Sequence, residues 1–336
     1  MPGLRVTNSE SPVVVPAPGP SRLVWMDVLR GAAVLLVLVF HSASLLRYAD
    51  LPVPRPAELL DAAVAPVRIP LLVLLSGTLL PRSVGKGSRD YLLGKWRAIA
   101  WPYLLWTAVY AVLTWPGGAG PLTWYLPGLL RGGTYLWYLF FLLVFYVVAL
   151  PLRRVPRLPA ALGLLLVSEL LPDGTKYLER PCYLMALFLV GWWIAEDPAR
   201  LRAVLSSYRV LVVAAVLLVP AVLWAPDGGY GPRSILATLA GACLAAALAA
   251  RCGGAPLLRP LRFVGRNSVV FYVVHFPVIY VVVHVAAALG EFPAPVVQPV
   301  ALVAAVVVAS ALASARSRWR GVEWLFTAPG RPRSSR

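Results

Sequence analysis

The chain has 336 residues, of which 60% are hydrophobic and only 13% are charged, and its formal net charge at pH 7 is +17. Soluble domains carry about 25% charged residues, so a chain with about half that share cannot cover its surface with polar groups in water and needs lipid as its solvent. The positive charge does not indicate nucleic-acid binding, because the basic residues form short clusters between apolar runs and not one face interleaved with aromatics.

Apolar runs of membrane-spanning length follow one another along almost the whole chain. They predict an all-α fold, a polytopic transmembrane bundle of about ten helices, at 23–46, 62–81, 95–115, 134–152, 158–172, 180–195, 207–225, 232–250, 267–289 and 295–314. Residues 1–21 are rich in Pro, Val and Ser and predict a disordered tail without a cleavable signal. Residues 120–131 are too short to cross the bilayer and are expected at its interface.

Lys and Arg residues are abundant in the predicted tails and even-numbered loops and scarce in the odd-numbered loops. The positive-inside rule therefore predicts that both termini are cytoplasmic. We expect a disordered tail at 1–21, a membrane domain at 22–315 and a basic cytoplasmic tail at 316–336. The expected location is a cell membrane crossed many times, in the first instance the bacterial plasma membrane.

The three cysteines, Cys182, Cys243 and Cys252, have neither metal-ligand nor redox spacing, and an odd number cannot pair fully within one chain. We interpret them as small apolar residues. No metal site and no bound cofactor is expected.

Ionisable residues inside apolar helices are costly and usually line a cavity or a substrate path. The first predicted helix contains Asp27, Arg30 and His41. Eleven residues at about 100° each bring His41 to within about 20° of Arg30, with Asp27 on the same broad face. The alternative is that Arg30 extends to the cytoplasmic headgroups and His41 bonds a neighbouring helix.

A second polar stripe lies on the ninth predicted helix, where Ser268, Tyr272 and His275 share one face. His284 lies about 180° round the helix from His275 and is assigned to another surface. The alternative for this stripe is ordinary hydrogen bonding between helices.

Several motifs occur in an order that resembles the membrane acyltransferase 3 family. The opening signature of that family, an Arg and a His separated by ten residues, is similar to Trp25–Gly31 followed by Phe40 and His41. The other matching motifs are Leu75-Ser76-Gly77, Lys95-Trp96-Arg97 with Pro102, Leu136-Trp137-Tyr138-Leu139 with Tyr146, and Gly265-Arg266-Asn267-Ser268 with Tyr272 and His275. The segment Val67-Arg68-Ile69-Pro70-Leu71 replaces the aromatic run usual before Ser-Gly, which predicts an unusual acceptor site.

The resemblance implies transfer of an acyl group, commonly acetyl, from cytoplasmic acyl-coenzyme A to a hydroxyl group of a surface glycan, a glycolipid or, in some members, an antibiotic. His41 is the candidate general base or transient acyl carrier, because imidazole titrates near neutral pH. Arg30 would meet the donor phosphates or the thioester carbonyl. Asp27 is expected to orient Arg30 through an ion pair.

The candidate substrate-binding residues are Arg68, Ser76, Arg97, Trp137, Ser268, Tyr272 and His275. Arg97, with Arg89 and Lys95, would attract the nucleotide part of the donor, although positive-inside topology alone would also place basic residues there. We further expect one cavity bounded by the first, second and ninth helices, with Tyr272 and His275 facing His41 and Arg68 at the level of His41.

A transporter or flippase could use the same intramembrane charges as a substrate path. Such proteins often show internal repeats and paired broken helices, and no internal repeat is visible in this sequence. The sequence therefore favours an enzyme, with transport as the alternative.

Overall fold

The computed structural model describes residues 24–85, 87–117, 121–172, 176–224, 231–290 and 292–329, and every regular element in these ranges is helical. The α-helices are α1 Val24–Tyr48, α2 Arg55–Thr78, α3 Leu80–Val84, α4 Ser88–Lys95, α5 Trp101–Leu113, α6 Pro121–Arg131, α7 Trp137–Val148, α8 Arg157–Leu170, α9 Lys176–Glu196, α10 Pro198–Ser206, α11 Tyr208–Trp224, α12 Ile235–Cys252, α13 Arg259–Arg266, α14 Ser268–Leu289, α15 Ala294–Ala315 and α16 Arg320–Trp324. The prediction of a disordered tail at 1–21 concerns residues outside the described ranges.

Helices lie at all ten predicted positions, but they are not equally long. Six helical segments of the described chain are long and apolar enough to cross a membrane: Val24–Tyr48, Arg55–Thr78, Leu178–Glu196, Pro232–Cys252, Ser268–Leu289 and Pro295–Ala315. α7 has 12 residues, which at 1.5 Å per residue span about 18 Å of the roughly 30 Å hydrocarbon core. The chain is a multi-pass membrane protein, and the count of ten crossings and the side of the termini stay predictions.

The bounds of α2 and the structure of residues 120–131 differ from the prediction. α2 begins at Arg55, seven residues before its predicted start, because Pro54 and Pro56 favour the first turn of a helix. Residues 120–131, predicted to be too short to span, form the 11-residue helix α6 over Pro121–Arg131, which packs on α5.

The first helix occupies the centre of the bundle, where α1 packs against α2, α12, α13, α14 and α15. Its closest neighbour is α13, and two glycines permit that approach. A Cβ added at Gly31 would lie 2.0 Å from the carbonyl oxygen of Leu261, and one added at Gly265 would lie 1.7 Å from that of Asp27. The backbones of α1 and α13 therefore touch, and no side chain larger than hydrogen fits at either position.

The helices α2 and α9 also approach closely at a pair of glycines. A Cβ at Gly77 would lie 2.1 Å from the carbonyl oxygen of Phe188, and a Cβ at Gly191 would lie 2.2 Å from that of Leu74. Small residues at such crossings let helix backbones approach and gain van der Waals contact, which drives helix association in lipid. Two close helix pairs thus form the rigid part of the bundle.

We expect Gly31→Ala or Gly265→Ala to lower the free energy of unfolding by about 1–3 kcal/mol or more, because the added methyl group meets backbone that cannot rotate away. Thermal unfolding of the purified protein in lipid nanodiscs measures the change. The matched control is Gly163→Ala in α8, where a Cβ meets nothing within 4 Å, so its stability should be unchanged or slightly higher. Equal melting temperatures for all three variants would contradict this packing.

Candidate active site

His41 and His275 lie side by side, although 234 positions of the sequence separate them. The centroids of the two imidazole rings are 5.0 Å apart, and the ring of Phe276 is 5.6 Å from that of His41. α1 supplies His41 and α14 supplies His275, and these two helices are in contact. The predicted proximity of the two histidines is therefore confirmed, whereas their chemical roles stay a proposal.

His275 is fully buried, with 0% of its surface exposed. Its Nδ1 lies 3.2 Å from the carbonyl oxygen of Phe271, whereas its Nε2 has no hydrogen-bond partner in the described part of the chain. A buried polar atom without a partner costs free energy. With Nδ1–H donating to the carbonyl of Phe271, Nε2 would be a hydrogen-bond acceptor.

Two tyrosines hold α14 against the segment before α7. The hydroxyl of Tyr272 donates to the carbonyl of Tyr135 at 2.9 Å, and the hydroxyl of Tyr135 donates to the carbonyl of Val273 at 2.6 Å. The ring of His275 contacts the rings of both tyrosines, with its centroid 5.7 Å from that of Tyr135 and 5.8 Å from that of Tyr272. These reciprocal bonds fix the orientation of the buried imidazole.

His41 lines a cavity of about 440 Å³, which we call the aromatic cavity. Its other lining residues come from α1, α5, the segment 133–135 and α14, and are Phe40, Ser44, Leu45, Tyr48, Tyr110, Thr114, Gly133, Thr134, Tyr135, Phe276, Tyr280 and His284. Apart from the imidazoles these side chains carry hydroxyl groups and aromatic rings and no charge. A volume of this size is typical of a small-molecule site.

The walls of the aromatic cavity differ from the prediction in two ways. α2 is not a wall, because Arg68 lies behind Phe40, and α5 takes its place. His275 and Tyr272 are not lining residues, because they are buried among the rings beneath His41. His284 is predicted to lie on another surface than His275, and in agreement with this it lines the cavity, whereas His275 does not. The ring of His284 stacks on that of Tyr280 at 3.8 Å between centroids.

Arg68 is buried, with 6% of its surface exposed, and its guanidinium lies 4.3 Å from the centroid of the Phe40 ring and forms an ion pair with Asp61. This contact with Phe40 places Arg68 at the level of His41, as predicted. The local backbone is unusual, because Pro70 has no N–H for the carbonyl of Pro66. The hydroxyl of Thr238 on α12 donates to that carbonyl and satisfies it.

Arg30 lies nearer the N-terminal end of α1 than His41 and belongs to a second group of polar residues. We call this group the arginine–tyrosine cluster, and it consists of Arg30, Ser76, Lys95, Tyr138 and Tyr146. The Ser76 hydroxyl lies 3.4 Å from the Tyr138 hydroxyl, and Tyr146 donates to the Ser76 carbonyl at 3.5 Å. The Lys95 ammonium lies 3.6 Å from the centroid of the Tyr146 ring. Both tyrosine hydroxyls lie within electrostatic range of the Arg30 guanidinium.

Asp27 is buried, with 5% of its surface exposed, and its carboxylate accepts a hydrogen bond from Arg266 of α13 at 3.3 Å. The expected ion pair with Arg30 does not form among the described residues. The close approach at Gly31 and Gly265 explains the difference, because it brings the end of α13 directly against this part of α1. Asp27 therefore ties α1 to α13, and Arg30 is left without a carboxylate partner in the described ranges.

Three other predicted residues lie apart from the histidines. The Nε of Arg97 donates to the carbonyl of Ala328 at 3.2 Å, near the end of the chain. The ring centroid of Trp137 lies 5.4 Å from the guanidinium carbon of Arg180 in α9. Ser268 is the first residue of α14, seven positions before His275, or about 10 Å along the helix axis.

The residues missed by the sequence analysis are mainly aromatic. Tyr110 and Thr114, four positions apart on one face of the third predicted helix, would have been found by the same search for polar stripes that found Tyr272 and His275. Tyr135 and Tyr280 carried no such signal, because tyrosine is common at membrane interfaces. Their place in the site depends on which helices become neighbours.

Comparison with known proteins identifies a family that matches the chain. The acyltransferase 3 family model, described as an acyltransferase domain, matches residues 23–314, nearly the whole chain. The chain has no significant match among curated proteins or among solved structures. The matched range contains both histidines of the pair, Arg30 and the aromatic cavity.

The three histidines of the chain differ in access, and this difference can be measured. We expect diethyl pyrocarbonate to modify His41 and His284, which line the cavity, much faster than the fully buried His275. Mass spectrometry of peptides at increasing reagent concentration gives the three rates, and a His41→Ala variant confirms the assignment. Modification of His275 as fast as that of His41 would contradict the burial of His275.

Proposed function

The chain belongs to the acyltransferase 3 family and is a membrane O-acyltransferase, and from this we propose that it moves an acyl group, in the first instance acetyl, from cytoplasmic acyl-coenzyme A to a hydroxyl group of a sugar, glycolipid or related small molecule. The expected location is the plasma membrane of a bacterium. The observation that carries the proposal is His41, an imidazole on the wall of an uncharged cavity and in ring contact with a second, buried imidazole.

The chemistry needs a base, because a hydroxyl group with a high pKa attacks a thioester poorly while it keeps its proton. In the proposed reaction, His41 takes the proton as the acceptor oxygen bonds to the acyl carbon. The carbon–sulfur bond then breaks, and the coenzyme A thiolate leaves and takes the proton from the imidazolium. In the alternative course His41 itself accepts the acyl group first and passes it to the hydroxyl.

The arginine–tyrosine cluster supports a donor site at the other end of α1. Arg30 and Lys95 provide two cations, and Arg30 has no carboxylate partner in the described ranges. A guanidinium binds phosphate oxygens in pairs, and coenzyme A carries several phosphates. Arg30 is eleven residues from His41, or about 16 Å along the helix, and the long flexible arm of coenzyme A can bridge such a distance.

A chain of rings connects the two ends. Tyr138 of the arginine–tyrosine cluster contacts Tyr272 at 5.5 Å between centroids, Tyr272 contacts His275 at 5.8 Å, and His275 contacts His41 at 5.0 Å. The hydroxyl protons of Tyr272 and Ser76 are already donated to the carbonyls of Tyr135 and Leu72, so these two residues would order the line of rings. We propose Arg68 as the nearest fixed cation to stabilise the oxyanion that develops on the thioester carbonyl.

The aromatic cavity supports an uncharged, hydroxylated acceptor. Its lining offers ring edges and the hydroxyl groups of Ser44, Thr114 and Thr134, and no carboxylate or ammonium group of the described residues lines it. Binding an anion or a cation there would leave the charge without a partner in a low-dielectric site, which is costly. With the N-terminus of α1 cytoplasmic, the Tyr48 end of the cavity would face the opposite side of the membrane.

The proposal predicts that membranes containing the protein transfer label from acetyl-coenzyme A to a lipid, a glycan or a small molecule, and that His41→Ala reduces this transfer by about 10²–10⁴-fold. The parent and the variant are compared at equal abundance and equal melting temperature. More than about a tenth of parental activity in His41→Ala would rule out the base role. Absence of label transfer by the parent would favour the transport alternative.

Arg30→Lys tests the donor site. It keeps the positive charge but loses the forked geometry, so we expect the KM for acetyl-coenzyme A to rise by about tenfold or more, the cost of losing one good charge-assisted contact. Initial rates are measured over a donor titration at fixed acceptor concentration. A donor KM equal to that of the parent would indicate that Arg30 only extends to the lipid headgroups.

A further inference from the structure

The segment that follows α16 returns to the membrane domain and packs on α5. Phe326 is buried, with 2% of its surface exposed, and its ring stacks on that of Trp106 at 5.9 Å. The indole N–H of Trp101 donates to the carbonyl of Trp324 at 2.7 Å, and that of Trp106 donates to the carbonyl of Leu325 at 2.9 Å. We call Trp324–Ala328 the C-terminal strap.

The strap meets α5 where the helix is irregular. Residues Trp96–Ala100 form one π-helical turn, in which the N–H of Trp101 bonds to the carbonyl of Trp96 five residues back. The next residue, Pro102, has no N–H, so the carbonyl of Arg97 lacks a donor from its own helix. The backbone N–H of Ala328 donates to this carbonyl at 3.1 Å and completes its hydrogen bonding.

Ala328 also bonds to the side chain of Arg97. The Nε of Arg97 donates to the carbonyl of Ala328 at 3.2 Å, so one residue of the strap is bonded to Arg97 through both its N–H and its C=O. The two terminal nitrogens of the guanidinium stay available for a ligand, and Arg97 forms no ion pair with a carboxylate in the described ranges. The side chain is half-buried and held in one orientation.

We infer that the C-terminal strap is a positioning element of the donor site, which holds the guanidinium of Arg97 ready to bind phosphate oxygens of the acyl-coenzyme A donor. This inference rests on the proposed function. A mobile arginine side chain loses conformational entropy when it binds a phosphate, and this loss weakens binding. The bonds to Ala328 order the side chain of Arg97 before the donor binds, so less entropy is lost. Ala328 acts through Arg97 and does not itself touch the donor.

The test compares two shortened chains with the parent. A chain ending at Thr327 loses both bonds to Arg97 but keeps Phe326 on Trp106, whereas a chain ending at Pro329 loses only the last seven residues and keeps Ala328. Each is assayed with acetyl-coenzyme A and with acetyl-pantetheine, a thioester without phosphates. Acetylation of the same acceptor is measured over a titration of each donor.

We expect the chain ending at Thr327 to show an increase of about fivefold to tenfold in the KM for acetyl-coenzyme A, the factor that corresponds to ordering one long side chain on binding. Its kcat, and its kcat/KM with acetyl-pantetheine, should match the parent, and the chain ending at Pro329 should match the parent with both donors. Arg97→Gln in the full chain should raise the same KM, and shortening this variant to Thr327 should add nothing.

Three results would overturn the inference. An equal loss with both donors in the chain ending at Thr327 would show a purely structural strap. An equal KM increase in both shortened chains would assign the effect to the last seven residues. Unchanged kinetics in both, with an active parent, would show that Ala328 is dispensable. Failure of the parent to use either thioester would instead refute the proposed function.

Discussion

The contact between Gly31 and Gly265 determines how α1 sits in the bundle. Backbone touches backbone there, so α1 can neither rotate nor slide against α13 without a collision. Arg30 is the residue before Gly31, and His41 lies ten residues further on the same rigid helix. The orientation of α1 that brings Gly31 against Leu261 therefore also points His41 towards α14 and Arg30 towards α7. The second glycine pair, Gly77 with Gly191, fixes α2 in the same way and places Ser76 beside Tyr138.

The charges on α1 and α2 are compensated in different ways. Arg68 pairs with Asp61 on its own helix, and Asp27 pairs with Arg266 of α13. Arg30 lies near two tyrosine hydroxyls and forms no ion pair in the described ranges. Arg30 is half-buried, so its charge is partly solvated and needs less compensation than the charges of Asp27 and Arg68. Arg68, already neutralised, is suited to a fixed electrostatic role near His41.

Helix positions and the alignment of Arg30 with His41 were predictable because both follow from local periodicity. The neighbours of each face were not, because they depend on contacts between distant parts of the chain. Asp27 and Arg266 are 239 positions apart, and nothing in the first helix indicates that the end of α13 would reach Asp27 before Arg30 could. The same limit explains the cavity walls: Tyr110 and Thr114 replace α2 there, because Phe40 separates Arg68 from the space that His41 lines. A helical wheel shows which residues share a face, and only packing shows what that face meets.

The C-terminal strap also bears on the order in which the molecule is assembled. The hydrogen bond between Trp106 and Leu325 joins residues 219 positions apart in the sequence, and that between Arg97 and Ala328 joins residues 231 positions apart. Until the strap docks, α5 exposes an aromatic surface at Trp106, and the carbonyl of Arg97 lacks a donor from the protein. Contacts of such long range form late and slowly in folding. The α5 wall is therefore completed by contacts that span 219 and 231 positions of the sequence, after the helices between them have been made.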